Sequence, residues 1–68
     1  MTEQRTNRVM ILRRKQVEQR TGLSRSTIYL RVAQGTFPKA VSLGARAVGW
    51  LESEIDEWLN SRVELTRG

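Results

Sequence analysis

Cysteine and histidine are both missing from this 68-residue sequence. Without cysteine there are no disulfide staples, and without either residue the usual zinc ligands are gone. A thiol nucleophile and an imidazole base are excluded too, which leaves little for catalysis. The acids Glu52, Glu54, Asp56 and Glu57 cluster where a helix start is expected, so favourable dipole interactions account for them without chemistry. Proline occurs once, and aromatics are limited to one Phe, one Tyr and two Trp. No apolar run approaches the roughly 20 residues of a membrane span. The polar start, Met1-Thr-Glu-Gln-Arg-Thr-Asn-Arg, has no apolar signal core. The expectation is a small cytoplasmic protein that is not an enzyme and has no cofactor, metal, membrane or small-molecule ligand. A chain this short buries only roughly 60% of its unfolded surface, so its core has to be used economically.

Acidic residues are also scarce, and they are unevenly placed. Residues 1–46 carry ten Lys/Arg against two Asp/Glu, a net of +8, while residues 47–68 carry two against five, a net of −3. A basic two-thirds joined to an acidic end suggests one face for a polyanion and another turned away from it.

The pattern of residues then predicts a fold. Residues 1–9 read as a disordered basic tail with Arg5 and Arg8 as loose charges. Residues 10–63 read as one domain, and 64–68 as a C-terminal tail. Ile11 and Leu12 suit a short strand. Arg14 to Arg20 reads as a first helix with a poor cap and Val17 as its core residue. Thr21-Gly22-Leu23 is a turn. A second helix runs from about Arg25 to Gln34, capped by Ser24 and stopped by Gly35. Leu23 and Ile28 have the spacing of a hydrophobic staple, and Ile28 and Val32 face the core. After Pro38, Val41 and Leu43 form the apolar face of one strand and Val48 and Trp50 that of another. Gly44-Ala45-Arg46-Ala47 joins them as a hairpin. The last helix carries Leu51, Ile55, Trp58, Leu59 and Val63 on one stripe, with Ser53 and Asp56 as its capping box. The fold class is mainly α with a small β-hairpin: a winged helix-turn-helix of three helices and a two-stranded wing.

Such a scaffold on a basic chain predicts duplex DNA as partner. The N-terminal part of the second helix enters the major groove, which makes Arg25, Ser26, Thr27, Tyr29, Leu30 and Arg31 the candidate contacts. Arg25 suits guanine or phosphate, and Leu30 a thymine methyl. Arg46 at the hairpin tip suits the minor groove, with Lys39 beside the wing. Arg14 and Lys15 on the first helix suit phosphate. Each has a bland alternative: a solvated charge, an ordinary first-turn residue, or a core lid for Tyr29. Trp50, Trp58 and Phe37 are expected in the core rather than as a stacking platform.

Thr21-Gly-Leu-Ser-Arg-Ser-Thr-Ile-Tyr, Gly35-Thr-Phe-Pro-Lys, Val48-Gly-Trp, Glu54-Ile-Asp-Glu-Trp-Leu and Arg62, in that order, resemble the AlpA family of small prophage regulators. The likeness runs from about Ile11 to Arg62. It implies a winged helix-turn-helix related to the MerR type and to phage excisionases. It also implies a transcriptional regulator acting near integrase genes or attachment sites. By position, recognition contacts would fall on Arg25, Ser26, Thr27, Leu30 and Arg31, and the wing contact on Arg46. Repeated sites, self-association on DNA and integrase are the partners this implies. An excisionase that bends attachment-site DNA is one alternative. A module that uses its basic face against an acidic protein is another.

Overall fold

In the computed structural model, residues 9–67 are described, so the expected disorder of the basic tail and its Arg5 and Arg8 lies outside them apart from Val9. The elements run β1 (Ile11–Leu12), α1 (Arg14–Thr21), α2 (Arg25–Gln34), β2 (Val41–Gly44), β3 (Ala47–Leu51) and α3 (Glu52–Arg67). This is a winged helix-turn-helix, mainly helical with a small sheet.

Local chemistry explains the helix pair. α1 begins after Arg13, whose backbone N–H donates to Gln16 Oε1 at 2.8 Å. An arginine side chain has no acceptor to complete a reciprocal cap, so this end is only half satisfied. α1 closes on Gly22 at φ 75°, and the Gly22 N–H donates to the Glu18 carbonyl. Thr21 Oγ1 donates to the Val17 carbonyl and accepts from the Leu23 N–H, which locks the turn. Ser24 then caps α2 by accepting from the Thr27 N–H. Gly35, at φ 77°, ends it. Both glycines adopt a left-handed conformation that costs other residues roughly 1–2 kcal/mol.

The core draws one buried side chain from nearly every segment: Leu12, Val17, Ile28, Phe37, Trp50 and Ile55. Leu23, Val32, Ala40, Trp58 and Leu59 pack against it half-buried. The corner between α2 and the wing is the common anchor. Trp50 Nε1 donates to the Pro38 carbonyl at 2.9 Å, and Trp58 Nε1 donates to the Thr36 carbonyl at 2.8 Å. Phe37 meets the Trp58 ring edge-on, with centroids 4.8 Å apart. Both indoles thus satisfy their single donor while covering the core, and the Gly-Thr-Phe-Pro sequence supplies both acceptors.

The two-stranded wing is there as β2 and β3, and the short strand β1 adds antiparallel to β3, giving the order β1-β3-β2. Other details differ from expectation. Leu43 and Val48 lie on the part of the hairpin that projects beyond the helices, and both are exposed. Ser53 does not cap α3. The helix starts at Glu52, directly after β3, and the Glu52 N–H donates to the Met10 carbonyl instead. Val63 is 47% exposed rather than core, and α3 continues through residues 64–67, expected as a tail.

Candidate nucleic-acid interface

α2 turns a defined face to solvent. At about 100° per residue, Ile28 and Val32 set the inward direction, and Ser26, Leu30, Ala33 and Gln34 fall on the opposite side. All four are exposed, and Leu30 is 57% exposed. Arg25 and Tyr29 occupy one flank of this stripe, Thr27 and Arg31 the other. The middle of the face is therefore small or apolar and both edges carry an arginine. A side chain as short as Ser26 would let a helix approach a groove floor closely, with an arginine on either flank.

The flanks differ in how firmly they are held. Thr27 is half-buried, and its Oγ1 accepts from Ser24 Oγ at 3.0 Å, so its hydroxyl is partly committed to the helix cap. On the other flank, the Arg25 guanidinium lies over the Tyr29 ring at 5.8 Å, and the Tyr29 ring meets Trp50 at 6.4 Å. Tyr29 is 42% exposed, so it is neither a core lid nor a free surface side chain.

The wing turn is tight, with Gly44 pairing with Ala47 across Ala45 and Arg46. Arg46 is the non-glycine residue with positive φ among those described, at 62°. A left-handed arginine on a two-residue turn is a locally strained choice. Lys39 is exposed on the corner leading to the wing.

Charge pairing separates the cations into two groups. Arg14 pairs with Glu18 one turn along α1. Arg20 reaches across to α3, 2.9 Å from both Glu52 and Asp56. Hydrogen bonds to Glu52 and then Asp56 raise the Arg20 guanidinium above its ordinary value, so it stays charged wherever the protein folds. Among the described residues, Lys15, Arg25, Arg31, Lys39 and Arg46 form no ion pair. The expected phosphate pair on α1 is thus unequal: Lys15 is open, while Arg14 would have to exchange Glu18 for DNA. A pair one helical turn apart and only partly buried holds about 0.3–0.5 kcal/mol, so the exchange is cheap.

Two features escaped the sequence. Ala33 and Gln34 share the outward stripe, and their three- and four-residue spacing from Leu30 was the available signal. Arg13 Nε donates to the Val48 carbonyl at 3.0 Å, tying the start of α1 to the wing. Nothing local in the sequence announces that contact. Among the described residues no group of acidic side chains is placed to hold a metal, and no helix is long and apolar enough to cross a membrane.

Comparison with known proteins agrees with this geometry. Residues 10–63 match the family model described as prophage CP4-57 regulatory protein, AlpA. The chain is 48% identical over 63 residues to the DNA-binding transcriptional activator AlpA of Escherichia coli strain K12, covering 84% of this chain and 90% of that protein. It is also 48% identical over 52 residues to an uncharacterized protein, ORF88, of Enterobacteria phage P4, covering 76% of this chain and 59% of the phage protein. With a winged helix-turn-helix, an open basic edge on α2 and a family model spanning most of its length, this chain belongs to the AlpA family of prophage regulators.

Proposed function

We propose that this chain is a sequence-specific duplex-DNA-binding transcriptional regulator of a prophage or related mobile element, without catalytic activity. The observation that carries the reading is the solvent face of α2: Ser26 and Leu30 in the middle, with Arg25 and Arg31 on its flanks and forming no ion pair among the described residues. That face enters the major groove. Arg25 takes a guanine edge or phosphate, Ser26 and Leu30 approach the groove floor, and Arg31 takes the opposite wall. Thr27 supports the helix cap first and contacts DNA from its remaining lone pair. Arg46 extends from the wing tip into the flanking minor groove, and Lys15 and Lys39 grip phosphate. The name of the Escherichia coli relative, a DNA-binding transcriptional activator, supports the same reading.

A single module of this kind buries about 600–1,000 Å² of protein surface on DNA, which gives modest affinity. Useful specificity therefore calls for several copies on repeated sites, near an integrase or excision gene. The test is selection of sheared host DNA by the purified protein at near-physiological salt, read by sequencing. A sharp peak of short repeats at a promoter is the expected result. A peak inside an attachment site would reassign the chain as an excisionase. Binding to the selected site should weaken with salt at a log–log slope on the order of −5, as about six phosphate contacts require. A flat slope would move the basic face to an acidic protein partner.

A further inference from the structure

Tyr29 has been counted among the DNA contacts, yet its surroundings suit a different task. Its ring neighbours two groups: the fully buried Trp50, with centroids 6.4 Å apart and planes tilted by 59°, and the Arg25 guanidinium, 5.8 Å from its centroid. Trp50 is itself fixed, because its indole N–H donates to the Pro38 carbonyl. The row runs from the immobile core outward: Pro38 carbonyl, Trp50, Tyr29, Arg25. Arg25 is the first residue of α2, the end of a recognition helix that meets base edges. Among the described residues it forms no ion pair, and its guanidinium lies over the Tyr29 ring.

We infer that Tyr29 is a positioning residue: its ring, seated on Trp50, presets the Arg25 guanidinium to read a guanine in the major groove. This rests on the DNA-binding reading above. A long arginine side chain loses much rotamer freedom when it binds. An aromatic platform four residues along the helix removes part of that loss before DNA arrives, because the guanidinium plane prefers to lie against a ring. Bidentate pairing with guanine O6 and N7 depends on the direction of approach, so a preset guanidinium sharpens discrimination and not just affinity. The phenol hydroxyl has no part in this arrangement.

The test compares Tyr29→Phe with Tyr29→Leu. Leucine keeps helix propensity and an apolar contact with Trp50 but offers no ring face. Binding is measured on the selected site and on the same site with each guanine replaced in turn. The wild type and Tyr29→Phe should discriminate one guanine by about 5- to 150-fold, the range of a good bidentate pair. Tyr29→Leu should lose most of that preference at the same position while its salt dependence stays unchanged. Arg25→Ala should lose the same preference, and the double variant should lose no more.

Loss of affinity in Tyr29→Phe equal to that in Tyr29→Leu would overturn the inference and make the hydroxyl a phosphate donor. Retained guanine preference in Tyr29→Leu would overturn it as well. If no DNA fragment is bound at all, the DNA reading fails separately. NMR of the free protein then still decides the platform. Ring-current shifts on the Arg25 side-chain protons should be present in wild type and Tyr29→Phe and absent in Tyr29→Leu. Their absence in wild type would sink the platform.

Discussion

Arg46 concentrates the residue-scale argument, because its backbone works against it. At φ 62° glycine would sit without penalty, whereas any other side chain is strained. Strained residues cluster at functional sites, which fits the minor-groove contact proposed for the Arg46 guanidinium. Arg46→Gly is expected to be at least as stable as Arg46→Ala, by up to about 1 kcal/mol in urea unfolding. Both should bind the selected site equally weakly. Full affinity in either variant would remove the wing tip from the mechanism. The sequence located Arg46 at the tip because Gly44 and the alternating strands are local signals. It could not show the positive φ, which depends on the two-residue register of Gly44 with Ala47. Thr27 was legible only as an exposed hydroxyl near a helix start, and its bond to Ser24 emerged from the folded cap.

Among the elements, α2 was readable almost to the residue and α3 was not. The limits of α2 are written in adjacent side chains: Ser24 at its start and Gly35 at its end. Ser24→Ala should therefore cost about 0.5–2 kcal/mol, measured by denaturant unfolding, and lower DNA affinity in step with folding. A variant as stable as wild type would mean that packing against Ile28 alone fixes this helix. The start of α3 is set by a distant partner instead. Met10 accepts from the Glu52 N–H, and Arg20 of α1 holds Glu52 and Asp56. Those partners lie about 30 to 40 residues away in the sequence, so neighbouring residues pointed wrongly to Ser53 as the cap. Replacing Arg20 with Met should lower the melting temperature, and the difference should shrink in high salt because the pair is exposed. A difference insensitive to salt would show that the aliphatic stem, not the charge, ties the helices together.

For the whole molecule, the economy of the core governs. Among the described residues, six buried hydrophobic side chains from separate segments leave no redundancy, and several other apolar side chains stay on the surface. Leu43, Val48 and Val63 carried the right alternation or spacing for burial. The helices are too few to cover the projecting hairpin and the end of α3, and no periodicity records that shortage. Trp58→Ala should cost about 3 kcal/mol, the lower end for a large aromatic since Trp58 is only half-buried, and leave an appreciable unfolded fraction at 37 °C seen by circular dichroism. A fully folded variant at that temperature would mean that Phe37 closes the corner unaided.

The two indole bonds to Thr36 and Pro38 have one more consequence. They tie the segment between α2 and the wing to β3 and to α3, so on the proposed DNA reading the helix and the wing tip act as a calliper with a fixed opening. A binding site for such a tool is defined by a distance as much as by letters. Inserting one base pair between the stretch under α2 and the stretch under Arg46 should therefore be less tolerated than changing any single base within either.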